Sequence, residues 1–379
     1  MTQYIIDSLF KTDCIKTGKF ILKNGDVSKY YFDLKNIIST PSLLCDIGDL
    51  IYSNIDTDFD IICGIPYGGL PIASYISTRY NKPMIMLRST KKDYGMQKLI
   101  EGNYNNNSRC VLIDDVITSG KSIQEAYDIL NNELNVVQSI VVFNRQQNYK
   151  CSFDIKCLLH KNDVIKYKLS HLIDNNKRLI FAADIIDPID LLNTIEKIGS
   201  YIGICKIHTD IIDYNILSFD NFKKELIELS IKFDFLIMED RKFVDISSVV
   251  ESQYNKFCNW VDLITVHASV TSETISKLSG ALIVANMSNN IYDYSKKALS
   301  LANRNTNNVI GFISQYKLDK RFYTMTPGIS FTDNKKDDQN YRPIDKVNTD
   351  FYIVGRTLYN SNNIVQDAEI LSSIINDKH

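Results

Sequence analysis

The stretch "FDFLIMEDRKFVD", residues 233–245, joins an apolar run to a dense group of charges. The run "FDFLI" predicts a buried strand, and Asp240, Lys242 and Asp245 follow at its end. Two carboxylates with a lysine between them would stabilise a fold poorly, because desolvated charges cost more than their pairing returns. The same groups could stabilise a carbanion and then protonate it. From this stretch alone, a surface ion-pair cluster and a catalytic array remain equally open.

Seven similar runs accompany this one in the C-terminal part of the chain, and helical segments separate most of them. Eight β/α units predict a (β/α)8 TIM barrel, whose active site lies at the C-terminal ends of the strands. Nearly every run ends in a polar residue or a glycine turn, although some strands end this way for no functional reason. The eight runs are "RLIFAAD" (178–184), "YIGICKIH" (201–208), "FDFLIMED" (233–240), "WVDLITVH" (260–267), "ALIVANMS" (281–288), "VIGFIS" (309–314), "FYTMTPG" (322–328) and "DFYIVGR" (350–356).

The first part of the chain has a different rhythm. Short β-rich runs ("DIICGIP", "MIMLR", "RCVLIDDV", "SIVVFNR") alternate with amphipathic segments such as "GLPIASYISTRY". This alternation predicts an α/β domain with a parallel sheet and flanking helices. The segment "KNDVIKYKLSHLIDNNK" (161–177) reads as a helix that joins the two parts directly. We therefore expect domains at residues 1–161 and 162–379.

Composition narrows the class of protein. The net charge of −2 does not favour a nucleic-acid partner. The eight cysteines include no CxxC pair, and several lie in apolar runs, which predicts reduced thiols and a cytoplasmic location. The N-terminus "MTQYIIDSLFK" lacks the features of a signal peptide, and no apolar run approaches the length of a membrane span.

The stretch "RCVLIDDVITSGKSI" (109–123) predicts a phosphate cradle behind two acids. A buried strand ends in Asp114 and Asp115, and the turn "TSGKS" then leads into a helix. The backbone N–H groups of such a turn suit a phosphate, whereas adjacent carboxylates suit a ribose diol. The GxxxxGK[ST] pattern is absent, so this is not a Walker A loop. An ordinary strand–turn–helix would show the same bare pattern.

This stretch resembles the phosphoribosyl diphosphate (PRPP) site of type I phosphoribosyltransferases. Further segments are similar to the orotate-specific members: "GKFILKNG" and "YYFDLKNIIS" to the orotate-binding segment, "GIPYGGLP" to the pyrophosphate-side loop, "KKDYGMQKLIEG" to the mobile catalytic loop, and "VVFNRQQ" to the orotate-contacting strand. The resemblance covers about residues 5–150. It implies a transferase reaction of orotate with PRPP, assisted by Mg²⁺ that arrives through PRPP rather than on a direct protein ligand.

The resemblance also implies roles for individual residues. Asp114 and Asp115 are expected to hold the ribose hydroxyls, and Arg145 the orotate carboxylate. The 5-phosphate is expected to bind Thr118, Ser119, Gly120, Lys121 and Ser122. Lys23, Arg88 and Lys92 are expected to stabilise the departing pyrophosphate, with Tyr67 as a further substrate contact. In this family a second cation usually follows Arg88, where this chain has Ser89.

The second half resembles orotidine 5′-phosphate decarboxylase. "FLIMEDRKFVDI" is similar to the signature of that family, and "FAAD", "CKIHTDI", "DLITVHASV", "ANMS", "TPGI" and "YIVGRTLY" stand in the family's order over residues 178–359. The order of the two segments resembles the bifunctional uridine monophosphate synthase family. This implies conversion of orotate and PRPP to orotidine 5′-phosphate, then to UMP and CO₂, with no cofactor for the second step.

Roles in the barrel follow from this second resemblance. Lys242 is expected to protonate C6, Asp240 to stress the substrate carboxylate, and Lys206 to complete the array. Asp245 is expected to reach the neighbouring site of a homodimer. The expected substrate contacts are Asp184 and His208 for the ribose, Ser288 for the pyrimidine, Tyr341 and Arg356 for the phosphate, and Pro327, Asn340 and Gly355.

Some positions depart from the decarboxylase pattern. Ser247, Ser248 and Val249 replace Gly-Asn-Thr, Asn340 replaces a glutamine, and Thr357 replaces a glycine. These changes leave open a chain with a competent transferase and a weakened barrel that acts as a scaffold. A ligand-sensing regulator on a phosphoribosyltransferase fold is a third hypothesis, but the sequence shows neither a helix-turn-helix extension nor a basic face.

Overall fold

The computed structural model describes residues 2–21, 27–88, 99–145, 149, 151–289, 292–332, 334–336 and 339–378, without the side chains of 334–336 and 339. The chain divides into two compact units. The first comprises Met1–Thr17 and Tyr30–Val164, and the second comprises Gly18–Lys29 and Ile165–His379. The predicted boundary at 161/162 falls at the start of a helix, Lys161–Asp174, so most of the segment predicted to be helical is a helix.

The first unit is built around a sheet of six strands in the order β5-β4-β3-β6-β7-β8. All neighbours are parallel except β4 and β5, which confirms the predicted parallel sheet. A separate two-stranded sheet pairs β1 with β2, and each of these strands has residues in both units. The strands are β1 (Ile15–Ile21), β2 (Val27–Phe32), β3 (Ile61–Gly64), β4 (Met84–Leu87), β5 (Ile100–Glu101), β6 (Arg109–Ile117), β7 (Asn135–Asn144) and β8 (Ile155–His160).

Amphipathic helices cover this sheet, as the alternating pattern predicts. In α3, Ile72, Ala73 and Ile76 recur at helical spacing and are buried. The opposite face of the sheet is covered in the same way by Ile123, Ala126 and Leu130 of α4. The helices are α1 (Thr2–Lys11), α2 (Pro41–Ser53), α3 (Gly69–Tyr80) and α4 (Lys121–Leu130), with a 3-10 helix at Leu34–Ser39. The next helix, α5 (Lys161–Asp174), lies mostly in the second unit.

The second unit contains a closed barrel of eight parallel strands, in the order β9 to β15 and then β19. All eight predicted runs form barrel strands, so the predicted TIM barrel is confirmed. A small sheet, β16-β18-β17, lies between the last two barrel strands in the chain. The strands are β9 (Leu179–Ala182), β10 (Ile204–Ile207), β11 (Leu236–Phe243), β12 (Leu263–His267), β13 (Ala281–Val284), β14 (Val309–Ile313), β15 (Tyr323–Thr326), β16 (Ile329–Ser330), β17 (Asn334–Lys336), β18 (Gln339–Pro343) and β19 (Phe351–Val354).

Helices connect the barrel strands, and side-chain caps begin several of them. The Asp187 carboxylate accepts hydrogen bonds from two backbone N–H groups at the start of α6, and Pro188 occupies the first turn. Ser218 caps α7 in the same way. The helices are α6 (Pro188–Ile198), α7 (Phe219–Phe233), α8 (Ser247–Phe257), α9 (Ser272–Ser276), α10 (Ser295–Arg304), α11 (Arg356–Tyr359) and α12 (Ile364–Asn376), with a 3-10 helix at Ile344–Lys346.

Alternation along the strands sorts side chains between two apolar clusters. Ile204 of β10 lies in the cluster inside the barrel, whereas Cys205 lies in the cluster between barrel and helices. Met238 and Ile237 of β11 divide in the same way. Because side chains alternate with a period of two, Lys206 and Asp240 also face the interior. Among the described residues, no helix is long and apolar enough to cross a membrane.

Candidate active sites

A lysine–aspartate array lies inside the C-terminal end of the barrel. Lys206 comes from the end of β10, and Asp240 and Lys242 come from β11. The Oδ2 atom of Asp240 lies 2.9 Å from the Nζ atoms of both lysines. Lys206 is only 6% exposed, so this is a desolvated group of charges rather than a surface cluster. The burial argues against the surface ion-pair cluster that residues 233–245 alone leave open.

Two further predicted residues join this array. The Nζ atom of Lys206 lies 3.4 Å from Oδ1 of Asp184, which follows β9. The Nε2 atom of His208 lies 3.4 Å from Oδ2 of Asp240 and 3.7 Å from Oδ1 of Asp184. Parallel strands bring these side chains together because all of them end at the same edge of the barrel.

The backbone at Lys242 has an unusual conformation. Its φ of 52° places a non-glycine residue in the left-handed region. The register of β11 against β12 shifts between Glu239 and Phe243 at the same point. The Lys242 N–H donates to Oγ1 of Thr265 at 2.9 Å, and that hydroxyl donates to Oδ1 of Asp240 at 2.8 Å. Thr265 therefore fixes the lysine backbone and the aspartate carboxylate together.

The charges of the array support each other's ionised forms. Burial lowers the pKa of Lys206, but the negative charges of Asp240 and Asp184 outweigh it, so the net shift is upward. Burial alone would raise the pKa of Asp240, yet Lys206, His208 and Lys242 hold it well below its usual range. Asp240 is therefore ionised at neutral pH, and Lys206 stays protonated beside it.

A second group of loops converges at the same end of the barrel. The backbone N–H of Asn340 donates to the carbonyl of Ser288 at 3.2 Å. Gly328, with φ of 75°, lies beneath both, because a Cβ there would come within 2.8 Å of the Asn340 carbonyl and 3.2 Å of the Ser288 Cβ. The loops after β13 and β15 and the strand β18 thus meet at the positions predicted to bind the nucleotide.

The remaining predicted barrel residues lie just after the ends of barrel strands or in β18. Pro327 precedes Gly328, and Tyr341 is buried in β18. Gly355 and Arg356 lie at the start of α11, where a Cβ on Gly355 would be 3.4 Å from the Ala182 Cβ. Asp245 is exposed in the loop after β11, and its carboxylate accepts a hydrogen bond from the Ile246 N–H at 2.7 Å.

In the first unit, the two acids lie at the end of β6 beside the loop after β3. Asp114 is buried, and burial followed by the neighbouring charge of Asp115 raises its pKa well above the usual range. A Cβ on Gly68 would lie 2.1 Å from the Asp115 carboxylate, so only glycine permits this approach. The preceding Pro66–Tyr67 peptide bond is cis, and the Tyr67 side chain is 74% exposed. The structure thus places the predicted pyrophosphate-side loop against the predicted ribose acids.

The predicted phosphate turn links β6 to α4. Gly120 caps α4 with φ of 84°, a conformation that favours glycine. The Lys121 N–H lies 3.5 Å from Oγ of Ser119. The side chains of this turn are exposed, and they belong to Thr118, Ser119, Lys121 and Ser122. An exposed turn at the start of a ten-residue helix can accept a phosphate.

Arg145 follows β7 and lies beside the predicted orotate segment. Its guanidinium stands 5.9 Å from the ring centroid of Phe32, which stacks on Phe143. Burial lowers the pKa of Arg145. Arg88 forms an ion pair with Glu101. Lys23 and Lys92, like Ser89, lie outside the described residues, so their predicted roles stay predictions.

Comparison with known proteins identifies the family. A model of the orotidine 5'-phosphate decarboxylase / HUMPS family matches residues 177–371, just over half of the chain. The chain belongs to this family. A phosphoribosyl transferase domain model matches residues 33–169. The predicted order, a transferase segment ahead of a decarboxylase barrel, is therefore confirmed.

Three curated relatives match different parts of this decarboxylase-family chain. Uridine 5'-monophosphate synthase of Bos taurus is 29% identical over 97% of this chain and 95% of its own length. Orotate phosphoribosyltransferase of Methanosphaera stadtmanae is 37% identical over 40% of this chain and 89% of its own length. Orotidine 5'-phosphate decarboxylase of Kodamaea ohmeri is 34% identical over 55% of this chain and 90% of its own length.

Two buried polar residues next to the array escaped the sequence prediction. Thr265 lies inside the apolar run "DLITVH" and is fully buried. The only signal in the sequence is a hydroxyl residue within an otherwise apolar strand. Glu239 precedes Asp240 and faces the outer side of the barrel, fully buried. Its Oε2 atom accepts from the Thr209 N–H at 3.0 Å, and Oε1 has no hydrogen-bond partner among the described residues.

One acidic group in this family barrel has the composition of a cation site. His208, Asp210 and Glu239 each offer an atom within 4.8 Å of the others. Asp210, however, already forms an ion pair with Arg241, and Glu239 already accepts from the Thr209 backbone. Two of the three residues in this cluster thus already use a carboxylate oxygen in another contact.

Proposed function

We propose that this chain makes UMP in two steps: the first unit joins orotate to PRPP, and the barrel decarboxylates the resulting orotidine 5′-phosphate. The observation that carries the proposal is the array of Lys206, Asp240 and Lys242 inside the barrel mouth. Curated uridine 5'-monophosphate synthases align with almost the whole chain, which supports the same conclusion.

The array suits decarboxylation without a cofactor. Asp240, ionised and fixed by Thr265, would face the substrate carboxylate, so that loss of CO₂ relieves the repulsion between them. The C6–carboxyl bond breaks, and its electron pair stays on C6. The Lys242 ammonium stabilises that carbanion and transfers a proton to it, which yields UMP. Lys206 holds Asp240 in place and keeps it ionised.

The surrounding residues would bind the rest of the nucleotide. Asp184 and His208 contact Lys206 and are assigned to the ribose. Ser288 is assigned to the pyrimidine, and Tyr341 and Arg356 to the phosphate. Pro327, Asn340 and Gly355 complete the proposed contacts, in loops that converge at this end of the barrel.

The first unit would bind PRPP through its ribose hydroxyls and its 5-phosphate. Asp114 and Asp115 are assigned to the ribose hydroxyls, and the turn 118–122 to the 5-phosphate. Arg145 is assigned to the orotate carboxylate, because its guanidinium is partly buried and lies near the Phe32 ring. The orotate nitrogen would form a bond to the anomeric carbon while pyrophosphate departs.

Arg88, Lys23 and Lys92 are assigned to the departing pyrophosphate. Magnesium is expected to enter this unit bound to PRPP rather than to a direct protein ligand, beside the loop that contacts Asp115. When bound through PRPP, it would neutralise charge that builds on the leaving group.

We also propose that the chain acts as a cytoplasmic homodimer with shared decarboxylase sites. Asp245 is exposed just beyond the array, where it could reach a second copy. All eight cysteines are free thiols, which fits a reducing compartment.

A single incubation tests the proposed function. Purified protein is mixed with orotate, PRPP and magnesium, and the products are separated by chromatography. We expect UMP with little free orotidine 5′-phosphate. A Lys242→Ala chain should instead accumulate orotidine 5′-phosphate, because the transferase residues are unchanged. Failure of the unmodified chain to form any product would refute the proposal.

A further inference from the structure

Gln315 connects the loops that converge at the predicted nucleotide end of the barrel. It follows β14 and lies partly buried. Its Nε2 atom is 3.2 Å from the Pro327 carbonyl and 3.4 Å from the Met287 carbonyl. These two carbonyls belong to the loops that carry Pro327 itself and Ser288. One side chain thus joins the loop after β13 to the loop after β15.

The backbone of Gln315 extends this connection to a third element. Its carbonyl accepts a hydrogen bond from the Arg342 guanidinium at 3.1 Å. Arg342 lies in β18 next to Tyr341, and its own N–H donates to the Gly328 carbonyl at 2.9 Å. The bond to Gln315 comes from Nη2, and the buried Nε atom of Arg342 has no hydrogen-bond partner among the described residues. The guanidinium therefore depends on the Gln315 carbonyl for its position.

The chemistry of these contacts requires an amide. A glutamine NH₂ group carries two hydrogens, which match the two carbonyl acceptors. A carboxylate, a thioether or a hydrocarbon in the same place has no donor for either carbonyl. The opposite amide orientation would point an oxygen at two oxygens, so the hydrogen-bond network fixes the orientation of the side chain.

The array and these loops are held by different residues. Thr265 and Lys206 fix Asp240 on β10 to β12, and neither contacts Gln315. Asn286 is buried after β13, and its side-chain oxygen accepts a hydrogen bond from the Ser314 hydroxyl at 2.9 Å. This bond links the ends of β13 and β14. Asp240 and the loops that carry Ser288 and Pro327 thus have separate supports within one barrel.

We propose that Gln315 is a positioning residue for the nucleotide, because its amide and carbonyl hold the Ser288, Pro327 and Tyr341 elements in one arrangement. The proposal rests on the proposed decarboxylase function. It predicts that loss of the amide weakens binding of orotidine 5′-phosphate and UMP but leaves the chemical step intact.

The test compares Gln315→Glu, Gln315→Met and the exposed control Gln366→Glu in the full chain. Gln366 lies on α12 and contacts only Asn363 through its side chain among the described residues. We expect both Gln315 variants to raise KM for orotidine 5′-phosphate and the inhibition constant of UMP by roughly 10-fold, with kcat within about 3-fold. The glutamate variant should be the weaker binder, since its charge faces two carbonyl oxygens.

Three outcomes separate the explanations. If the unmodified chain does not decarboxylate orotidine 5′-phosphate, the proposed function fails. If it does, but the Gln315 variants keep the normal KM or lose kcat alone, only the role of Gln315 is overturned. Unfolding of both variants would also overturn it, because Gln315 would then support the fold rather than the nucleotide.

Discussion

Replacement of Asp240 by asparagine removes the central negative charge of the array at almost constant shape. The Oδ2 atom of Asp240 accepts from two ammonium groups at 2.9 Å, and Oδ1 accepts from Thr265 at 2.8 Å. In the Asp240→Asn chain, Lys206 keeps only the more distant Asp184 carboxylate at 3.4 Å. Burial lowers the pKa of Lys206, and Asp240 is the largest opposing influence, so its removal should bring that pKa down.

The magnitude follows from the burial of the pair. Loss of one partner from a buried ion pair costs about 3–5 kcal/mol when the other charge stays in place. Lys206 can avoid part of this cost by releasing its proton, so we expect a loss of unfolding free energy of about 2–4 kcal/mol. The decarboxylation rate should fall more clearly, by roughly 10²- to 10⁴-fold in kcat, because the charge that stresses the substrate is gone.

Decarboxylation can be followed by the absorbance change as orotidine 5′-phosphate becomes UMP, and stability by denaturant unfolding. The matched control is Asp220→Asn on α7, whose side chain is 89% exposed and 3.9 Å from Lys223. The control should match the unmodified chain in both measurements. Retention of kcat within about 10-fold by a folded Asp240→Asn chain would refute the electrostatic role assigned to the array.

Three more predictions concern other residues. A mixture of Asp245→Ala and Lys242→Ala chains should recover about a quarter of the decarboxylase activity, because half of the dimers would hold one intact site; no recovery on mixing would exclude shared sites. Burial, with added repulsion from nearby acids, raises the pKa of Glu239 to about 7 from its usual 4.5. The ionised form is disfavoured only in the folded chain, so unfolding free energy should drop by at most about 3 kcal/mol between pH 4.5 and 7, and stay level above. A Glu239→Gln chain should lose that slope in denaturant titrations at several pH values; an unchanged slope would assign it to other groups. Asp115→Asn should raise KM for PRPP by roughly 10-fold or more while decarboxylation of added orotidine 5′-phosphate is unchanged; a parallel loss of both activities would point to misfolding.

The fold could be predicted because its signals are local. Each barrel strand is an apolar run with a polar end, and period-two alternation assigns Lys206 to the interior once the strand is recognised. The site could be predicted where its residues stand at strand ends. Asp184, His208 and Asp240 meet because parallel strands end at one edge, a relation that the order of the runs already contains.

Residues that act across the barrel could not be found in this way. Thr265 contacts Asp240 only because the register of β11 shifts against β12, and nothing in "MEDRKFVD" shows that shift. Gln315 lies in the stretch "ISQYK", which carries no motif, and its partners Met287 and Pro327 are distant in the chain. Such contacts depend on three-dimensional convergence, which periodicity does not encode.

The departures from the decarboxylase pattern lie outside the array. Val249 lies in the first turn of α8, Asn340 in β18 and Thr357 in α11, and none of them belongs to the array. Asn340 nevertheless has contacts, since its side chain donates to the Asn289 carbonyl at 3.1 Å.

We expect the replacements at Asn340 and Thr357, which lie on elements assigned to the nucleotide, to change how tightly the nucleotide is bound. The Lys–Asp charges that act on the reacting carbon are fixed independently by Thr265 and the strand ends. A chain with this division can lose contacts to the phosphate or to a second subunit and still retain its chemistry. The departures therefore bear on affinity for the intermediate, and they leave decarboxylation itself within the capacity of the barrel.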